Sequence, residues 1–341
     1  EESGYMSRVV FLMDRIMRRF GISGKSVVPL ISGTACAIPA VMATRNIENW
    51  KERLITILVV PFTTCAARLP VYLIIIALII PEGTFLGFSF QALTLMSLYL
   101  IGFGMAIFSA YILDRVMKKE RKSFFVVEMP NYKLPLLKNV LITVIEKTKT
   151  FVLEAGKIIL AISIVLWVMA SFGPGEKFKN AESIVTQNNA DIPKFELDDK
   201  IAAYRLEHSY IGIVGKTIEP VIKPLGYDWK IGIGLVASFA AREVFVGTLA
   251  TIYSVGSASE GENIDTIKTK MANERYSDGR KVFTLASGIS LLLFYAFAMQ
   301  CMSTLAIVKR ETKSWKWPMV QLVGMSIIAY IFALIAFQIL N

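Results

Sequence analysis

The chain has little of what a soluble metalloprotein is built from. It holds one histidine, His208, and three cysteines in 341 residues. That excludes a His-rich metal centre, and an odd number of cysteines lying in or beside apolar runs leaves no disulfide framework. Charged residues make up only 19% of the chain, against about 25% in soluble domains. The opening residues, EESGYMSRVV, are neither a signal peptide nor an initiator sequence, so the chain is expected to be a piece of a longer one. A nucleotide loop is missing too. Gly21-Ile22-Ser23-Gly24-Lys25-Ser26 has two residues between its glycines where a phosphate loop needs four, and it precedes an apolar segment.

What is present is apolar. Hydrophobic residues reach 54% and the mean hydropathy is +0.54, which points to an all-α, polytopic membrane protein. The net charge of +10 does not imply nucleic acid, because the basic residues flank hydrophobic runs and form no separate basic domain. Residues 1–25 read as an amphipathic interfacial helix, with Val10, Phe11, Met13, Ile16, Met17 and Phe20 opposite Arg8, Arg15, Arg18 and Arg19. About seven hydrophobic segments follow, at 26–44, 54–80, 88–113, 151–173, 231–255, 282–308 and 318–340. They divide the chain into a first unit at 26–173, a polar and external loop at 174–230, and a second unit at 231–341.

Loop charges orient these segments. Residues 114–150 carry nine Lys/Arg against four Asp/Glu and are expected in the cytoplasm, whereas 174–230 carries eight against nine and faces outward. Residues 45–53 then lie inside. The first segment, broken by Gly33 and Pro39, enters and leaves on that same face as a re-entrant hairpin. Counting forward with 231–255 as a full crossing puts 309–317 outside, although KRETKSWKW has a net charge of +3.

That violation is set against an internal repeat. CAIPAVMATR (36–45) and CMSTLAIVKR (301–310) each place Arg nine residues after Cys, and CAARLPV (65–71) matches FAAREVF (239–245) at Ala-Ala-Arg. The two elements occur in opposite order in the two halves. Paired units on opposite sides of the membrane are the pattern of inverted-repeat transporters, whose site lies near mid-depth.

Three features carry chemistry. Cys36, Cys65 and Cys301 lie in apolar surroundings, the first two beside Pro39, Pro61 and Pro70, which prevent unbroken helices and free backbone carbonyls. Thiolates select borderline and soft cations over Mg²⁺ or Ca²⁺, so three in a row form a pathway for such an ion; alone, each is more often a small hydrophobe. Arg68, Arg242 and Glu243 are charges inside apolar runs, where a charge marks function by default. For the two arginines an internal salt bridge is favoured, since a cation path gains nothing from fixed positive charge. Glu243 adds a weaker, hard oxygen ligand.

With these residues in view, the chain resembles the membrane region of FeoB-type ferrous iron transporters. The strings that carry the likeness are SGYMSRVVFLMDRIMRRFGISGKSVVPLISGTACAIPAVMATR, RLITILVVPFTTCAARLPVY, EPVIKPLGYDWKIGIGLVASFAAREVFVGTLATIY and FYAFAMQCMSTLAIVKRET. The resemblance implies two pseudo-repeated Gate units and matches Cys36, Cys65 and Cys301 to the three membrane cysteines proposed to line the iron path. It implies a bacterial inner-membrane permease, not an enzyme, which moves Fe²⁺ and holds no permanent cofactor. GTP and Mg²⁺ would act only through a cytoplasmic GTPase domain, which the family carries ahead of this region and which is not found here. Further implied partners are the bilayer, a small cytoplasmic Feo accessory protein and, as one option, copies of the same chain. Two other readings stay open: a nucleoside-type solute carrier, and a non-transporting membrane anchor for a separate GTPase.

Overall fold

The computed structural model describes residues 4–81, 83–85, 87–117, 132, 136–188, 194–239, 242–252, 271, 275, 281–299 and 301–340. The architecture is all-α. Among the described residues, extended structure is confined to a bridge between Arg275 and Lys281 and a two-residue hairpin, β1 (Thr84–Phe85) antiparallel to β2 (Phe88–Ser89). Part of the basic stretch expected at 114–150 lies outside the described residues, at 118–131 and 133–135.

Among the described residues, five stretches are long and apolar enough to cross a bilayer: Trp50–Ile79, Phe90–Val116, Leu137–Ser171, Leu285–Thr312 and Lys316–Leu340. Three are single helices, α6 (Phe90–Val116), α7 (Leu137–Ser171) and α16 (Lys316–Leu340). Two are broken, into α4 (Trp50–Val59) and α5 (Leu69–Ile79), and into α14 (Leu285–Phe297) and α15 (Met302–Thr312). Large side chains along α7, among them Leu141, Leu160 and Trp167, are about 64% exposed. Lipid is the solvent such a surface needs.

The two remaining hydrophobic segments do not cross. Residues 26–44 form α2 (Val27–Ser32) and α3 (Ala37–Ala43), and 231–255 contains α12 (Trp229–Ala237) and α13 (Val244–Ile252). Nine helical residues rise about 14 Å, less than half of a roughly 30 Å hydrocarbon core. In each case the two short helices pack on one another, as the arms of a hairpin do.

The stretch 174–230, expected as a loop, is also largely helical: α8 (Glu176–Lys179), α9 (Ala181–Asn188), α10 (Lys194–Glu207) and α11 (Tyr210–Ile222). The reason is local. α11 carries a buried edge of Ile211, Gly212, Gly215 and Ile222, and a Cβ on Gly215 would stand 3.1 Å from the Ile233 nitrogen and 3.2 Å from the Trp229 carbonyl. Glycine there lets α11 lie backbone to backbone on α12.

The chain divides into two compact units, residues 1–66, 99–159 and 303–324 in the first and 67–98, 160–302 and 325–341 in the second. Every one of the five spans has one end in each unit, and the ends alternate along the chain. Spans at 50, 137 and 316 start in the first unit; those at 90 and 285 start in the second.

Within the first unit, ion pairs tie the span ends together. Glu311 on α15 accepts from Arg45 at 2.5 Å and from Arg53 at 2.8 Å, and Lys51 pairs with Asp114 at the end of α6 at 2.5 Å. Residues 45–53 and 309–317 therefore share one membrane face, which corrects the expectation that 309–317 lies opposite. The difference has a physical source: α12 and α13 pack on one another and do not form the single crossing that the count along the chain assumes. α1 (Tyr5–Met17) belongs to this unit, where Asp14 accepts from the Gly24 N–H at 2.8 Å. It buries Val10 and Met17 and leaves Phe11, Leu12 and Ile16 exposed.

The second unit holds a core of Val71, Tyr72, Ile75, Ile231, Phe245, Leu291 and Tyr295. A polar thread runs beside it. The Tyr227 hydroxyl lies 2.9 Å from Ser290 Oγ, and Ser290 donates to the Ala333 carbonyl at 3.0 Å. Burial pushes the Tyr227 phenol up, so it stays a neutral donor.

Both halves of the chain follow one plan. α1 is followed by a 3₁₀ turn at Arg18–Phe20, by Gly21 with φ 77°, and then by the α2–α3 hairpin. α11 is followed by a 3₁₀ turn at Lys223–Leu225, by Gly226 with φ 78°, and by the α12–α13 hairpin. A broken span comes next in each, α4/α5 and α14/α15. The first starts in one unit and the second in the other. The elements occur in the same order in both copies. The sequence pairing of 65–71 with 239–245, and of 36–45 with 301–310, had crossed the two element types.

Candidate functional site

Four interruptions in apolar helices carry the candidate residues: 33–36 and 63–65 in the first unit, and in the second those between α12 and α13 and between α14 and α15. Their positions follow from backbone chemistry. Pro39 lies in the first turn of α3, where its missing N–H costs nothing, but its ring clashes with the carbonyl four residues back, at Ala35. The helix therefore cannot run through 33–36, and Cys36 is extended (φ −156°, ψ 134°) as it enters α3. Pro61 ends α4 in a 3₁₀ turn and Pro70 sits in the first turn of α5, so the chain between them, Thr63 to Cys65, is non-helical.

The two interruptions of the first unit touch. A Cβ on Gly33 would stand 2.4 Å from Thr63 Oγ1 and 3.2 Å from the Leu30 carbonyl, so a larger residue there would have to displace Thr63. On the other side α6 closes in at Gly102, where a Cβ would be 2.9 Å from Thr64 Oγ1 and 3.0 Å from the Phe62 carbonyl. The carbonyls that Pro61 orphans have a partner which sequence reasoning missed. Gln321 on α16 donates its side-chain amide to Ile57 and Leu58 carbonyls, each at 3.1 Å.

The interruptions of the second unit touch as well, through the Met302 N–H donating to the Phe239 carbonyl at 3.2 Å. Arg242, 4% exposed, donates to the Tyr295 carbonyl at 3.3 Å and the Ala298 carbonyl at 3.0 Å. Those carbonyls end α14, where unsatisfied oxygens and the helix dipole attract a cation. The salt bridge favoured for Arg242 is thus replaced by a backbone cap. Glu243 next to it is exposed at the turn into α13. Arg68 is fully buried in the second unit, one residue before α5.

Cys36, Cys65 and Cys301 are each half-buried, and none is in a disulfide. Cys65 and Cys301 occupy equivalent places in the repeat, each closing the interruption of a broken span; Cys36 and Arg242 lie at the two hairpin breaks. Hydroxyls flank the thiols. Thr64 Oγ1 before Cys65 and Ser303 Oγ after Cys301 are buried without a hydrogen-bond partner, a placement that costs about 1–3 kcal/mol in a protein interior unless something binds there. The signal was legible as Thr63-Thr64 and Ser303-Thr304 inside apolar runs. Among the described residues, no group of three or more His, Cys, Asp or Glu side chains is gathered into one metal-holding cluster.

Two units with broken helices in an all-α, multi-pass membrane protein are an arrangement on which membrane transport domains are built. The chain belongs to the Gate family: the family model described as nucleoside recognition matches residues 1–79 and 152–315, and a second, described as ferrous iron transport protein B C terminus, matches 95–147. One model matching both halves accords with the repeat. The chain is 44% identical over 340 residues to the Fe(2+) transporter FeoB of Leptospira interrogans serogroup Icterohaemorrhagiae serovar Lai, covering 99% of this chain and 46% of that protein. It is 35% identical to the Fe(2+) transporter FeoB of Staphylococcus aureus strain MSSA476, covering 44% of it. It is 33% identical to the Fe(2+) transport protein A/Fe(2+) transporter FeoB fusion protein of Porphyromonas gingivalis, covering 40%. The chain thus spans less than half the length of these relatives. No solved structure matches it.

Proposed function

We propose that this chain is the permease portion of a ferrous iron importer in the bacterial inner membrane. The observation that carries the reading is the pair of cysteines, Cys65 and Cys301, at equivalent interruptions of two broken spans, with Cys36 on the break that abuts the first. Fe²⁺ sheds water against the thiols, and the Thr64 and Ser303 hydroxyls supply oxygen as it passes; Glu243 is an exposed oxygen donor at the hairpin turn. Pro39, Pro61 and Pro70 keep the path non-helical, and Arg68 and Arg242 hold its walls. The face shared by 45–53, 114–117 and 309–317 carries the positive excess and is cytoplasmic. A GTPase domain working from that face gates the path, with GTP and Mg²⁺ bound there and no permanent cofactor in this chain. The fusion protein's name supports a small Feo accessory partner.

Iron uptake by cells carrying the whole protein with single Cys36→Ser, Cys65→Ser or Cys301→Ser changes tests this. Each is expected to lower uptake with membrane levels unchanged, and full uptake by all three would refute the cysteine path. Nucleoside uptake that survives all three changes would favour a solute carrier instead.

A further inference from the structure

A cavity of about 500 Å³ opens on the first unit's loop face, lined by Arg45, Trp50, Arg53, Arg310, Glu311, Thr312 and Lys313. Four of these side chains are cationic and one is anionic. Glu311 is nearly buried and both of its oxygens are taken, by Arg45 and Arg53, so it braces the guanidinium groups and does not cancel the site. The Arg53 Nε is buried with no hydrogen-bond partner. Lys313 adds an independent sign. At φ 50° it has the one left-handed backbone found among described residues other than glycine, at the turn after α15 where glycine is the easy choice. The chain holds a cation there against its backbone preference.

The geometry points to a binding site for the phosphodiester headgroup of an anionic lipid. Phosphate is the chemistry that several converging guanidinium groups recognise. The position selects the lipid as its source. The cavity lies at the ends of α4 and α15 and is lined by Trp50 (42% exposed), with Trp315 (63% exposed) two residues after Lys313, and exposed tryptophans of this kind sit at headgroup depth. Just beyond Lys316, α16 exposes Met319, Val320 and Val323, an apolar track on which acyl chains lie while the headgroup fills the cavity. Basic pockets at the cytoplasmic ends of membrane helices hold such headgroups. This site is separate from the cysteines and stands or falls without the iron reading.

The test is lipid retention by the chain purified from nanodiscs of phosphatidylcholine mixed with phosphatidylglycerol or cardiolipin, read by mass spectrometry of the co-purified lipid. Wild type is expected to enrich the anionic lipid, and Arg53→Gln and Lys313→Gly each to reduce that enrichment about fivefold. Lys313→Gly relieves the backbone, so its melting temperature is expected to stay level or rise, which separates lost binding from lost fold. Equal retention of anionic and neutral lipid by wild type, or unchanged enrichment in both variants, overturns the proposal. So does displacement of the lipid by millimolar inorganic phosphate, which assigns the site to soluble phosphates, or by poly-glutamate, which assigns it to an acidic protein segment.

Discussion

The two pairs of interrupted helices meet the same backbone problem with different chemistry. In the first unit, the carbonyls left at the end of α4 receive a neutral amide, Gln321, brought in by α16. In the second, the carbonyls ending α14 receive a buried guanidinium, Arg242, supplied by the facing hairpin. A break at membrane depth has no water to satisfy it, so each unit provides its own donor. The cation closes a helix end, where the dipole favours it, and the amide serves a proline break. Among the described buried polar groups, the Gln321 amide and the Arg242 guanidinium close the backbone, whereas the Thr64 and Ser303 hydroxyls have no hydrogen-bond partner.

The largest effect is expected at the charged cap. Arg242→Met removes two charge-assisted hydrogen bonds and strands two carbonyls, which should cost about 3–5 kcal/mol and lower the unfolding midpoint in detergent. Arg242→Lys keeps the charge on a single point and should recover part of that. If Arg242→Met is as stable as wild type, the cap is not what holds the second break. Glu311→Gln comes next. It leaves Arg45 and Arg53 facing each other without their brace, and since Arg45 is nearly half exposed the loss should be about 1–3 kcal/mol, shrinking as salt is raised. A salt-independent loss would contradict the ion-pair account. Gln321→Leu should then cost about 1–2 kcal/mol, the worth of two neutral bonds to otherwise orphaned carbonyls. A cost matching that of Arg242→Met would erase the distinction between the two breaks. The smallest effect is a gain: Lys313→Gly should stabilise the chain by about 1 kcal/mol, because glycine accepts the left-handed backbone freely, and calorimetry would detect it.

Much of this was legible in the sequence, and the failures are instructive. Proline spacing located the breaks at 33–36 and 63–65, because a proline excludes helix at a fixed distance upstream. Hydropathy could not separate a crossing from a hairpin at 231–255: two nine-residue helices have the composition of one span, and the difference is that α12 and α13 pack on one another. That error placed 309–317 on the wrong face, and the net charge of +3 there was the sign that it had occurred. Arg242's partners were invisible for another reason. A search for a buried arginine's counter-charge looks for carboxylates, and here the counter-charge is a helix end. The repeat was mispaired because Ala-Ala-Arg letters were matched at 65–71 and 239–245, whereas the alignment is set by where each helix is interrupted. Gln321 carried no signal at all, since its role depends on a proline more than 250 residues away in the chain.

The central claim is that three thiols at these interruptions handle the transported ion. It is tested most directly by alkylation rates of Cys36, Cys65 and Cys301 in the anaerobic whole protein, measured by mass spectrometry with and without Fe²⁺. The account predicts that Fe²⁺, and not Mg²⁺, slows the modification of all three. Rates that do not change with Fe²⁺ at any of them would contradict it.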